Sequence, residues 1–474
     1  MDVTDLARLQ FAVTTIYHYF FVPLSISLAT LTALLQTAWL RTGRADLRRL
    51  TVLVGRLLLV TFAVGIVTGL VQEFQFGLSW SDFARFYGDV FGPTLAVEGM
   101  LAFFLEATFL GLWYFGWDRL PRRAHLATIW IVAVGTLLSA FIILSANSFM
   151  QNPTGYTVDS ETGRARLDDF GALLFNEVNL AAFPHTVSGA FMTGGALLLA
   201  IAVWHQLRRP GADAAAFRTL GRLGAWTTVL AGLGTAVTGD ILGKVITVVQ
   251  PMKMAAAEAL YTTTSGAPFS LFSYAPPGSH EPTVSIELPG LLSYLAVGSF
   301  GGEVQGLADL QRQYTALYGP GDYIPSLPLS FWSFRLMIGV GLAAAAVAAA
   351  YLWSTRRGRG LPDRVLAGPG VTRWALRLAL LLPVLPLVAN SFGWVFTETA
   401  RQPWLAFGLF RTRDGVGAGV TVAEVTLSLV LFTAVYGVLA VVWIRLVSRL
   451  VRGGLGSSPA GEPEPDGDRL VLSY

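Results

Sequence analysis

Nine stretches of this chain are apolar for long enough to cross a bilayer, and no other feature limits its fold so strongly. A membrane-crossing helix needs about 20 mostly apolar residues. Such runs lie at roughly 11–40, 51–73, 94–117, 126–149, 182–207, 219–247, 330–354, 373–398 and 421–447. The expected fold is an all-α integral membrane protein with nine transmembrane helices. Composition agrees: 13% of the 474 residues are charged and 53% hydrophobic, whereas a soluble domain carries about 25% charged residues. The basic balance, a net charge of +3, does not point to nucleic acid, because the arginines sit in short clusters between the apolar runs. The absence of cysteine excludes disulfides and thiolate metal sites. The N-terminal MDVTDL is acidic, unlike the basic start of a cleavable signal, so the first run is expected to stay as a helix.

The clusters also orient the chain. Arg41, Arg44, Arg48 and Arg49 follow the first run; Arg119, Arg122 and Arg123 the third; Arg208, Arg209 and Arg218 the fifth. Arg356, Arg357, Arg359 and Arg364 follow the seventh, and Arg445, Arg449 and Arg452 end the ninth. The positive-inside rule then puts the N-terminus outside and the C-terminus in the cytoplasm. The chain divides into helices 1–6 (1–247), a long outer loop (248–329), helices 7–9 (330–452) and a tail (453–474) rich in Gly, Pro and acidic residues, expected to be disordered. The loop holds KMAAAEA, the turn-prone SYAPPGSHEP and the alternating TVSIEL, and its apolar content favours partial folding. No internal repeat stands out.

Ionisable residues inside membrane helices are costly and usually functional. His18, Glu98, His185, Arg335 and Met337 lie early in runs that start outside, and Glu398 lies late in one that ends outside. All fall toward the outer face, which implies one shared site beside the loop. Each has a bland reading: a lone histidine can simply bond a neighbouring helix, Met337 can be filler, and Glu398 can merely pair with Arg401 one turn on. His125 and His205 at helix ends and His280 in the loop are read as solvated. Two histidines, a thioether and a carboxylate together make a heme ligand set more readily than an iron–sulfur one. Glu98 and Glu106, eight residues apart, stand about 80° apart around an ideal helix and about 12 Å along it. They form either a proton ladder or two neutral, hydrogen-bonded acids. Lys253 and Glu258 read as an ordinary surface pair.

Seven stretches then carry a resemblance: RLQFAVTTIYHYFFVPL, TGLVQEFQFG, GPTLAVEGMLAFFLEATFLGLWYFGWDRL, SANSFMQNP, FPHTVSGAFMTGG, FWSFRLMIGVG and GWVFTETARQPW. In these the chain resembles subunit I of cytochrome bd quinol oxidase along nearly its whole length. The resemblance implies a heme-bearing subunit of a terminal respiratory oxidase of the bacterial cell membrane, which oxidises membrane quinol and reduces O2 to water. It implies that His185 and Met337 ligate a low-spin heme b (b558 type), accompanied by Arg335. It implies His18 as ligand of heme d and Glu398 as ligand of a high-spin heme b (b595 type), with Trp394 and Arg401 beside it. By the same resemblance Glu98 and Glu106 serve the oxygen site's proton supply, and Lys253 and Glu258 serve quinol oxidation in the Q-loop (248–329). A second multispanning subunit, subunit II, and small accessory subunits are the implied partners. Three departures are visible. GRQPW reads ARQPW, with Ala400; the serine usual after the second acid is Ala107; and the loop lacks the insertion of the long Q-loop class, which makes this a short-loop member.

Two other readings fit parts of the sequence. A secondary transporter would account for nine spans with buried carboxylates, but it calls for broken helices and paired repeats, and neither is evident. A heme-bearing quinone reductase without oxygen chemistry would need only doubly ligated hemes.

Overall fold

A computed structural model describes residues 2–209, 211, 213–274, 283–356, 361 and 368–456. Arg357, Arg359 and Arg364, most of SYAPPGSHEP with His280, and the tail from 457 lie outside the described residues. Among the described residues nine helices are long and apolar enough to span a membrane: Val3–Thr42, Ala45–Leu78, Ser81–Phe115, Arg122–Gln151, Glu177–Arg208, Ala214–Val249, Leu327–Ser354, Gly370–Thr399 and Val422–Gly453. They are the first to ninth spans below. Helices are the natural outcome, because each satisfies its own backbone polar groups without water.

Hydrogen bonds at the two ends show that the spans alternate in direction. At one end Arg49 of the second span reaches Asp213, just before the sixth, at 2.8 Å. There too His205 of the fifth bonds the Val451 carbonyl of the ninth, and Arg222 of the sixth bonds the Thr355 carbonyl after the seventh. At the opposite end Gln10 of the first span joins Ser428 of the ninth and Ser79 after the second. The Phe407 amide, beyond the eighth span, donates to Met150 of the fourth. The described arginines of the clusters therefore share the first end, and the described part of the 250–326 loop caps the second.

Three spans are interrupted, contrary to the expectation of unbroken helices. The first is interrupted at Phe20, between helical segments Val3–Tyr19 and Phe21–Thr42. Pro23 has no N–H to give the carbonyl four residues back, that of Tyr19, and its ring crowds it. The eighth breaks at Leu382–Pro383 between Pro369–Leu381 and Val384–Thr399, and here Pro386 stands four residues after Leu382. The third starts at Ser81, thirteen residues before its expected start at 94, and runs past Pro93 into a π-helical turn at Glu98–Phe103. Glu98 therefore stands midway along its helix and not early in it.

Glycines set the tightest helix pairing. A Cβ on Gly224 of the sixth span would lie 2.5 Å from the Leu199 nitrogen and 2.6 Å from the Gly195 carbonyl of the fifth, so these two backbones touch. Deep in the first end, Gln36 joins the Trp113 indole and His125, whose other ring nitrogen meets the Trp113 carbonyl. His125 is thus a buried tie rather than a solvated end residue. So is His205, whose ring stacks on Phe217 at 3.8 Å.

The loop folds as a cap. Helices Pro251–Glu258, Leu291–Val297 and Leu307–Tyr318 alternate with two short antiparallel sheets, one pairing Phe269–Tyr274 with Val284–Leu288. The alternation in TVSIEL is therefore a strand. Ala255, Ala256 and Ala257 are fully buried and let the first of these helices lie close against its neighbours.

Candidate functional site

The fifth to eighth spans close a four-helix ring. Gly195 and Gly224 join the fifth to the sixth, and Gly232 meets Ala345 between the sixth and the seventh. Phe334 and Phe396 pack ring to ring between the seventh and the eighth, and Asn390 of the eighth donates to Thr193 of the fifth. His185 and Met337 stand inside this ring. Met337 Sδ lies 3.1 Å from where a Cβ on Gly393 would be, and the His185 ring covers Gly239 of the sixth span. Asn390 faces Gly189. Gly393 is three residues beyond it and His185 four residues beyond Gly189, both toward the loop. At 1.5 Å per residue, imidazole and thioether therefore stand at about the same level.

His18 is held similarly between the first and second spans, with its Nδ1 2.9 Å from the Thr68 hydroxyl and its ring over Gly69. Its neighbour Tyr19 packs edge-on against Trp394, ring centroids 5.2 Å apart. Trp394 follows Gly393 and lies one turn before Glu398, so the eighth span brings the surroundings of His18, Met337 and Glu398 onto adjacent turns.

Glu398 pairs with Arg401 at 2.5 Å and accepts from Asn147 at 3.1 Å. Asn147 in turn accepts from Gln151 at 2.9 Å, and Gln151 from the Lys253 ammonium at 2.7 Å. A continuous line of hydrogen bonds thus joins the loop to Glu398. Lys253 and Glu258 are not an exposed pair. They are 3% and 4% exposed and hold different partners. Glu258 takes two hydrogen bonds from the Arg335 guanidinium, at 2.6 and 3.2 Å, and Arg335 also reaches the carbonyls of Ser270 and Ala257. The faces of Phe269 and Phe331 flank that guanidinium within 4.5 Å. Burial drives the Lys253 ammonium down to about 7, Arg401 adding repulsion and Glu398 opposing it. Burial drives the Glu258 carboxyl up to about 7, with Arg335 limiting the rise.

Glu98 and Glu106 both face the fourth span. Ser139 donates to Glu98 at 2.7 Å, and Glu106 lies across Gly135, one turn before Ser139. The π-turn between the two acids makes eight residues advance roughly as seven would in an α-helix, which brings them to about 20° apart instead of 80°. Gly135, Ser139, Asn147 and Gln151 follow a four-residue spacing broken only at Ile143. Such a row drifts around the helix by about 40° per step, so the fourth span meets both acids at one end of the row and Glu398 and Lys253 at the other.

Ser139, Asn147, Gln151, Thr68 and Thr238 were not singled out in the sequence. The signal was there in part: polar residues four apart in an apolar run, with Asn147 and Gln151 inside SANSFMQNP.

Among the described residues no three His, Asp or Glu side chains cluster as a metal cage. The candidate ligands are dispersed over different spans, which suits an iron whose equatorial positions a macrocycle already fills. Beside Arg401, around a cavity of about 10 Å³ with room for about one water, the Gln250 amide, the Tyr314 hydroxyl, the Trp404 indole and Arg401 Nε and Nη1 are buried without protein partners. Such a donor-rich lining suits the carboxylate edge of a heme or ordered water. These features define a polytopic membrane protein that holds two histidines, a thioether and a carboxylate between its helices.

The sequence comparisons name the family. Residues 6–455 match the model described as cytochrome bd terminal oxidase subunit I, and the chain belongs to that family, the heme-bearing subunit of a terminal respiratory oxidase. It is 41% identical over 455 residues to cytochrome bd ubiquinol oxidase subunit 1 of Bacillus subtilis, covering 96% of this chain and 94% of that one. It is 33% identical over 519 residues to cytochrome bd-II ubiquinol oxidase subunit 1 of Escherichia coli, covering 98% and 99%. Its fold matches the bd oxidase of Geobacillus thermodenitrificans with a TM-score of 0.84 at 29% identity, over 95% of this chain and 98% of that one.

Proposed function

We propose that this chain oxidises membrane quinol at its loop and reduces O2 to water between its helices, in a complex with subunit II in the bacterial cytoplasmic membrane, with or without small accessory subunits. The basic end faces the cytoplasm and the loop faces outside. His185 and Met337 hold a low-spin heme b, accompanied by Arg335. His18 and Glu398 hold heme d and a high-spin heme b respectively, with Trp394 and Arg401 beside them. Bound heme supplies one-electron transfer and, at an iron with a free position, oxygen binding. Glu258, raised toward neutrality and steadied by Arg335, accepts a quinol proton. Lys253 presents its ammonium to the quinol oxygen and connects it through Gln151 and Asn147 to Glu398. Glu106 and then Glu98 pass protons along the fourth span from the cytoplasmic side.

The observation that carries this reading is the unbroken line from Lys253 to Glu398, since it joins the loop to a site between the spans. Reduced-minus-oxidised and CO-difference spectra of the purified complex test it. The expected result is one CO-insensitive low-spin heme and CO-reactive high-spin heme with a chlorin band. His185→Ala and Met337→Ala should each abolish the low-spin band, and an intact band in either would refute the ligation. The transporter reading loses its support, because the chain belongs to an oxidase family and two of the three interruptions are explained by Pro23 and Pro386.

A further inference from the structure

The triplet Val-Thr-Gly occurs at 67–69 in the second span and at 237–239 in the sixth, and each triplet faces a histidine of the preceding span. The surroundings are alike, the threonine hydroxyl bonding a carbonyl three residues back in one and four residues back in the other. The Thr68 hydroxyl donates to the Gly65 carbonyl at 2.9 Å, and the Thr238 hydroxyl donates to the Gly234 carbonyl at 2.7 Å. A hydroxyl has one proton, so each threonine oxygen has only lone pairs to offer the ring nitrogen beside it. His18 Nδ1 lies 2.9 Å from Thr68 Oγ1, and His185 Nδ1 lies 3.3 Å from Thr238 Oγ1. A backbone carbonyl three residues before each threonine, Gly65 or Thr235, is a second acceptor for the same ring. With acceptors alone facing it, Nδ1 carries the proton and Nε2 carries the lone pair. The glycine completes the arrangement: a Cβ on Gly69 or on Gly239 would lie 3.2 Å from the Cε1 of its histidine, so a larger residue would push the ring away.

We propose that these two triplets are one device used twice, in which Thr68 and Thr238 are positioning residues that hold His18 and His185 with Nε2 free for iron. The proposal rests on the ligand reading above. A metal-bound histidine that gives its other N–H to an acceptor is fixed in orientation and becomes a more basic ligand. A more basic ligand favours the ferric state, so loss of the acceptor should raise the midpoint potential.

The test is spectroelectrochemical titration of the purified two-subunit enzyme. Thr238→Val should retain the low-spin band and raise its midpoint potential, while Thr238→Ser, which keeps the hydroxyl, should hold the wild-type value. An unchanged potential in Thr238→Val overturns the proposal. His185→Ala separates the two ideas: if it retains the low-spin band, the ligand reading itself has failed. Thr68→Val is a second, independent arm should Thr238→Val not assemble. It should raise the potential of a high-spin heme and leave the low-spin heme unmoved, and an unmoved high-spin heme overturns the device at His18.

Discussion

Lys253 and Glu258 show what residue-level reading misses. Five residues apart in an alanine-rich stretch, they have the pattern of a solvated pair, and nothing in that pattern announces burial. Their real partners, Gln151 and Arg335, lie 102 and 77 residues away in the chain, beyond any local rule. Breaking the Arg335–Glu258 pair from one side should be costly. Arg335→Leu should destabilise the complex by about 3–5 kcal/mol, because a buried carboxylate loses its counter-charge. Arg335→Leu with Glu258→Leu should recover much of that loss in thermal melts. Gln151→Leu removes the side-chain acceptor of Lys253, a charged hydrogen bond worth about 1.5–3 kcal/mol, and should slow quinol oxidation while leaving the heme bands in place. The pH profile follows from Glu258. Its carboxylate form accepts the proton and its pKa is raised to about 7, while the Lys253 ammonium is lost as pH rises through about 7, so quinol oxidation should climb toward neutrality on an acid limb set by Glu258 and fall above it on a limb set by Lys253. Glu258→Gln should be slow and should lose that acid limb; a mutant with an unaltered limb would rule Glu258 out as its source.

At the scale of elements, apolar length made all nine spans legible, and their interior boundaries fell close to expectation. The third span was the exception, because Asp82, Arg85, Asp89 and Pro93 give its first three turns the look of a loop. The breaks in the first and eighth spans were readable in principle, since Pro23 stands three residues after Phe20 and Pro386 four residues after Leu382. The π-turn at Glu98 had no such marker; it packs against the fourth span, where Ser139 meets Glu98. Close backbone contact was not legible either, since Gly224 resembles many other glycines in these helices. Gly224→Ala should cost about 1–3 kcal/mol by forcing the fifth and sixth spans apart, seen as a lower temperature for loss of the low-spin band. Gly437→Ala, with nothing within 4 Å of its Cβ position, should leave that temperature unchanged.

For the molecule as a whole, cover is uneven. Only 6% of the most apolar window of the ninth span is buried in this chain, against 78% for the fifth. The third span also presents Met100, Phe104 and Phe115 outward. These faces are left for lipid or for a partner subunit. Orientation can be measured directly because the native chain has no cysteine. Ser299→Cys in the loop should react with a membrane-impermeant maleimide in whole cells stripped of their outer layers, and Arg209→Cys should react only after lysis. The opposite pattern would invert the proposed topology. Finally, the ring of the fifth to eighth spans bears on how the protein is made. Synthesis runs from N- to C-terminus, so His18 and His185 enter the bilayer while Met337, Trp394 and Glu398 are still untranslated. The ring around His185 and Met337 stays open until the eighth helix inserts, and Trp394 and Glu398 arrive only with that helix, so on the proposed reading stable cofactor capture waits for nearly the whole polypeptide to leave the ribosome.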